Sequence, residues 1–404
     1  MMPESMKSVR SVPVARPVRA GLVLLLSCAF ALGGCSTLKG WFGGKSGDEL
    51  KPVELTGITP SLTVSKLWTA KAGAGEGRLG ARQKPAIADG RVYAAAVEGG
   101  VRAFDLQTGN SVWHYESELP LSGGPGVGDG LVVAGSLEGD VVALDAATGA
   151  EKWTAKVGNE VLAAPTIGQG MVLVRSNDGR VTAFDAASGE RRWFWEHETP
   201  TLSVRGNDAP LLGPGLVFVG NDDGTLSALG LADGRLLWEQ TIAAAEGRSE
   251  LDRMADVDGT PVLDGTTLYA SSYKKQTMAI DGPSGRPLWA HDSGGPGQVA
   301  VAADRVVVSD ADGIVWGLDK ASGAALWQQD ALLRRNVSAP AIQGDYAVVG
   351  DYEGYLHWLK LADGAFAARV DAAGDAIRAA PVVADGILVV QSTGGELSAW
   401  RLGQ

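Results

Sequence analysis

The strings LDAATGAEKW at 144–153 and FDAASGERRW at 184–193 stand forty residues apart and share an Asp, a Gly four positions on and a Trp four positions beyond that. The same signal recurs as DLQTGNSVW (105–113), GLADGRLLW (230–238), DGPSGRPLW (281–289) and DKASGAALW (319–327), then decays to KLADGAFAA (360–368), making seven copies. A second signal, an Ala/Gly-Pro or its equivalent leading into an apolar strand and a Gly-rich turn, occurs eight times, from KPAIADGRVYAAAVEGG to AAPVVADGILVVQSTGGE. Runs such as LVVAG, LVFVG and RVVVS between turn residues are β-branched and too short for helices. A repeat near forty residues holding about four short strands is the signature of a propeller blade. The expected fold class is all-β, one eight-bladed β-propeller.

Within the motif the Asp side chain closes an Asx-type turn and the Gly takes the positive φ, reversing the chain between the third and fourth strands. The Trp opens the outermost strand, where a flat ring packs between neighbouring blades. Seven against eight locates the ring closure. The last repeat ends at GELSAWRLGQ without a fourth strand, while SLTVSKLWTAK at 61–71 is an orphan strand at the other end. The N-terminal strand is therefore expected to complete the last blade by pairing near 396–401, leaving no open edge.

Residues 20–32, AGLVLLLSCAFAL, follow Lys7, Arg10, Arg16 and Arg19 and precede LGGC at 32–35. A basic start, a short apolar stretch and small residues before a cleavage point describe a signal peptide over 1–34. LGGC resembles the bacterial lipobox, which makes Cys35 the lipidation site, and Ser36 after it suggests sorting to the outer membrane. Residues 35–60, rich in Gly, Lys, Ser and Pro, read as a flexible lipidated tether, and 61–404 as the propeller. Both cysteines, Cys28 and Cys35, fall in this leading segment, so the mature body has no disulfide or thiol chemistry. Losing residues 1–34 takes the net charge from -12 to about -15, which disfavours nucleic acid as a partner.

GEGRLG at 75–80 matches a dinucleotide fingerprint in letters but leads into a strand, with no βαβ unit around it. GGKS at 43–46 lacks the first Gly of a phosphate loop, and no GxSxG elbow occurs. His114, His197, His291 and His357 belong to different blades and none is at metal-ligand spacing from another. Catalytic, cofactor and metal sites are thus expected to be none.

The Trp-to-Trp intervals are 45, 40, 40, 45, 51 and 38. The excess lies in HETPTLSVRGND (197–208) and AAAEGRSELDRMADVD (243–258), each running from an outermost strand to the next innermost one. Such connections emerge on one face of a propeller, and these two are consecutive around the ring, so they are expected to form one surface. Leu202 and Val204 are apolar residues in a loop, beside Arg205, and the neighbouring loop offers Asp252, Arg253, Asp256 and Asp258. Apolar residues ringed by charge mark a partner site, although they can also simply pack a loop down.

The repeat is similar to that of quinoprotein alcohol dehydrogenases, propellers that carry pyrroloquinoline quinone and calcium. Those enzymes are longer, and many use an adjacent-cysteine disulfide that this chain lacks. TLSVRGNDAP, SELDRMADVDGTP and GDYEGYLHWL, on a lipidated eight-repeat chain, resemble the BamB family, propeller lipoproteins of the outer-membrane β-barrel assembly (BAM) machinery. That resemblance implies a non-enzymatic scaffold on the periplasmic face of the outer membrane. It implies binding to POTRA domains of BamA, association with other BAM subunits and help in delivering unfolded outer-membrane proteins. Carried over by motif, the BamA contacts are Leu202, Val204 and Arg205 from the first loop and Asp256 and Asp258 from the second. An exported quinoprotein dehydrogenase or another envelope propeller adaptor is the alternative.

Overall fold

The computed structural model describes residues 51–76, 79–203, 209–249 and 251–403. The signal peptide, Cys35 and the tether up to residue 50 lie outside them. The described residues form eight four-stranded antiparallel sheets. These are the blades: 86–115, 126–156, 166–196, 211–241, 262–291, 300–329 and 341–371 are blades 1 to 7. Blade 8 takes Val382–Ala384, Ile387–Gln391 and Glu396–Leu402 from the C-terminus and Val64–Lys71 from the N-terminus. The N-terminal strand runs antiparallel to the last one, from Val64 opposite Leu402 to Lys71 opposite Glu396, with a bulge between Lys66 and Trp68. Closure is as the orphan strand implied.

The two middle strands of each blade are buried on both faces, as in Leu131–Gly135 and Asp140–Asp145, because each blade is sandwiched between two others. That explains continuous apolar runs where a sheet with one wet face would alternate. The outermost strands alternate instead, as in Glu151–Lys156.

The turn motif does two jobs. Asp145 Oδ1 accepts from the backbone N–H of Ala147 (3.1 Å) and Thr148 (3.0 Å) and from the Thr148 hydroxyl (2.9 Å), and Asp105 and Asp185 repeat the pattern. Beyond turning the chain, the motif receives the preceding blade. Trp153 Nε1 donates to the carbonyl of Ala186, the residue after the motif Asp, at 2.9 Å. Equivalent bonds of 2.8 to 3.0 Å start from Trp68, Trp113, Trp193, Trp238, Trp289 and Trp327. Each links one blade to the next, so the Trp residues are donors as well as fillers.

The seam between blades 7 and 8 has no such indole, since Ala368 stands where the Trp would be. Gln343 holds it. Its amide donates to Gly386 O (2.9 Å) and Trp400 O (3.1 Å), and its Oε1 accepts from the buried Trp358 at 2.8 Å.

The chain before Ser61 differs from a free tether. Val53 N–H donates to Leu333 O, Arg335 Nη1 to Val53 O at 3.0 Å and Arg369 Nη1 to Thr56 O at 2.7 Å, while Leu55 packs against the apolar cluster of blades 6 and 7. Composition registers the Gly, Lys and Pro content but not that two arginines of blade 7 and its entry loop await these carbonyls.

Candidate partner-binding face

The long connections leave Arg191–Glu196 of blade 3 for Leu211–Gly213 of blade 4, and Leu236–Thr241 of blade 4 for Val262–Asp264 of blade 5. They are neighbours around the ring, as their spacing implied. In the first, Leu202 is 42% exposed, a large apolar side chain in water. Val204 and Arg205 lie outside the described residues. In the second, a short 3-10 turn at Leu251–Arg253 presents Leu251, 68% exposed. Lys274, from a turn of blade 5, pins this loop by donating to Ala244 O at 3.0 Å and to Glu246 O.

Asp256 and Asp258 are not on the rim. They are 0% and 2% exposed, which corrects the expectation that they face a partner as surface charges. The cause is the loop's return path. Ala255 and Val257 are buried, Val257 in the apolar core of blades 4 and 5, Val257 N–H donates to Asn221 O, and Asp256 O accepts from Tyr273 N–H at 2.8 Å. A segment held by blade 4 on one side and blade 5 on the other carries both carboxylates inward.

There they meet Asp222. Carboxylate oxygens of Asp222, Asp256 and Asp258 lie within 4.8 Å of one another, and Arg175 Nη2 donates to Asp222 Oδ1 at 3.1 Å, with both partners buried. Neither oxygen of Asp258 has a hydrogen-bond partner among the described residues. Burial, then the charges of Asp256 and Asp222, push the Asp258 carboxyl well above the ordinary carboxylate range, and burial raises Asp222 too. The Asp258 carboxyl therefore takes up a proton readily, which costs less than burying it as an unpaired negative charge.

Asp222 and Arg175 escaped the sequence reading. Asp222 stands in an NDDG turn whose acidic residues ordinary turn chemistry accounts for, and Asp223 does accept from the Thr225 N–H and hydroxyl. A signal existed for Arg175: in the register of the second and third strands, the other blades place Ala95, Gly135, Gly220, Ser271, Ser309, Gly350 and Gln391 at that position, none of them charged. The histidines sit apart. His197 bonds Asp223 at 2.9 Å, which raises its pKa, and His357 is buried between Asp351 and Arg369.

The family profile described as outer membrane protein assembly factor BamB matches residues 63–120, 97–329 and 311–402. The chain is 61% identical over 399 residues to the assembly factor BamB of Xanthomonas campestris pv. campestris, covering 96% of this chain and 98% of that protein. It is 44% identical over 378 residues to that of Pseudomonas aeruginosa, covering 94% and 98%. The crystal structure of BamB from Moraxella catarrhalis superposes with a TM-score of 0.77 at 28% identity, covering 84% of this chain and all of that one. With matches of this extent spanning every blade and both inserted loops, the chain belongs to the family of outer membrane protein assembly factor BamB.

Proposed function

We propose that the chain is a scaffold of the outer-membrane protein assembly machinery which binds the periplasmic POTRA domains of BamA through the face made by its two long loops. Family membership makes it an assembly factor and not an enzyme. The observation that carries the site is the pair of exposed leucines, Leu202 and Leu251, on consecutive loops above a buried carboxylate group. Large apolar side chains held in water are favourable anchors for a partner. Val204 and Arg205 extend the anchor, with Arg205 as its charged contact. Asp256 and Asp258 lie buried beneath this face, on the return of the second loop. Lipidation at Cys35 keeps the ring on the periplasmic face of the outer membrane, within reach of other BAM subunits and unfolded clients.

The test is the affinity of the full chain for the periplasmic region of BamA, read beside a melting curve. Arg205→Ala and Leu202→Ala are each expected to weaken binding by about 2 kcal/mol, as interface anchors often do. Melting should change little, since exposed substitutions usually stay within about 0.5 kcal/mol. Parental affinity in both variants would overturn the assignment. Cys35→Ala should abolish lipid labelling and release a folded propeller, and persistent labelling would refute the lipobox.

A further inference from the structure

The entry loops of the blades converge around the propeller axis on a cavity of about 400 Å³. Its wall includes the small residues Gly80, Gly124, Gly297, Ala164, Ala339 and Ala379. Into that small-residue wall three cationic side chains project, Arg82 and Lys84 from the loop before blade 1 and Arg378 from the loop before blade 8.

Their protein partners leave donors over. Arg378 Nε is buried with no hydrogen-bond partner among the described residues. Arg82 uses Nη1 on the Pro296 carbonyl at 3.1 Å, and Lys84 Nζ has a long 3.4 Å contact with Gln298 Oε1. Two carboxylates, Asp258 and Asp310, also line the cavity. Asp310 is engaged by the N–H groups of Asp312 and Ile314 and by the Trp316 indole. Glu76 receives the Gln83 N–H and lies in the field of Arg378 and Arg82, as Asp258 lies in that of Arg82, but burial outweighs these charges and raises both carboxyls, which weakens them as counter-charges. A buried guanidinium donor left without an acceptor costs free energy.

Backbone conformation is consistent with this. Arg82 (φ 51°) and Asn336 (φ 48°) both line the cavity in the left-handed region. Asp89, Asp129, Gln169 and Asp385 share such values, but each precedes a Gly in a two-residue hairpin turn that requires them, and Lys275 (φ 61°) and Arg334 (φ 60°) share them away from the cavity. Arg82 is in no hairpin, and an arginine held there is strained in a way that clusters at ligand sites.

We propose that the axial cavity is a binding site for a small multivalent oxyanion of the phosphate class, clamped by the Arg82 and Arg378 guanidinium groups and the Lys84 ammonium. Planar guanidinium forks match the oxygens of a phosphate two at a time, and an ammonium supplies a point charge. A monocarboxylate would leave most of the donors unused.

The experiment is calorimetric titration of the full chain in detergent, in phosphate-free buffer at low ionic strength, with inorganic phosphate, pyrophosphate and glycerol 3-phosphate. Saturable binding with one site per chain is expected for phosphate or pyrophosphate. Arg378→Gln and Arg82→Gln should each bind at least tenfold more weakly, about 1.4 kcal/mol. Arg286→Gln, on the outer rim of blade 5, should bind as the parent does. If either pocket variant melts several degrees lower, Lys84→Gln, the more weakly tethered cation, carries the comparison. Glycerol 3-phosphate binding tighter than phosphate supports the site and identifies a lipid headgroup as the source, and weaker binding supports it with a free oxyanion. No saturable binding, unchanged affinity in the pocket variants, or an equal loss in Arg286→Gln overturns the proposal.

Discussion

Trp153 of blade 2 lies against Gly189 of blade 3 so closely that a Cβ on that glycine would stand 2.6 Å from the indole ring. The same indole donates to Ala186 O three residues earlier. The motif glycine is thus required twice, by its own φ of 71° and by the neighbouring blade. Propagated around the ring, the contact makes each turn the socket for the preceding blade.

Gly189→Ala is expected to cost about 3 kcal/mol, combining roughly 1–2 for a left-handed alanine with about 1–3 for overpacking. Gly170→Ala has a similar φ of 76° but nothing within 4 Å of the added carbon, so it should cost only about 1–2 kcal/mol. Urea midpoints of the two variants separate the contribution of the socket from that of the turn.

At the seam without an indole, Gln343→Leu strands the Trp358 indole N–H and two carbonyls at once. An unsatisfied buried group costs about 1–3 kcal/mol. A loss of about 3 kcal/mol in chemical denaturation is expected, larger than for most single changes. A neutral result would mean that the seam draws its strength from the N-terminal strand alone.

The Asp145 carboxyl is lowered to about 2 by the Lys152 ammonium and by the Thr148 hydroxyl and N–H. Since this lies below its unfolded value near 4, its stabilising effect is complete above about pH 4 and disappears as pH falls toward 2. Asp145→Asn keeps a capping oxygen and removes the charge. Melting temperatures should show the parent ahead at pH 6 and the two converging near pH 2.

Asp258 runs the other way. Its folded pKa is raised, so the folded state holds the proton more tightly, and stability falls as pH climbs from about 4 to the folded value. Asp258→Asn cannot ionise and should melt above the parent at pH 8, with the gap closing below about pH 4. A variant that melts lower at pH 8 would show that the ionised carboxylate is satisfied by charges around it.

The amino-acid sequence by itself determined the ring. Blade count, the Asp-closed turn, the placement of Trp on the outermost strand and closure by the strand within residues 61–71 are all set within one hairpin or by a repeat that either has its fourth strand or lacks it. The two inserted loops were legible in the same way, as departures from the period. Tertiary structure decided which side of a loop faces water. Asp256 and Asp258 look like any solvated acidic run, and only the clamping of Ala255 and Val257 between blades turns them inward. It also decided that Arg335 and Arg369 take hold of Val53 and Thr56. Likewise, Arg82 and Arg378 come from opposite ends of the chain and share a cavity only because the ring closes. Local periodicity reports the contacts a residue makes within its own repeat, whereas burial and charge convergence depend on what the other blades bring to the same point.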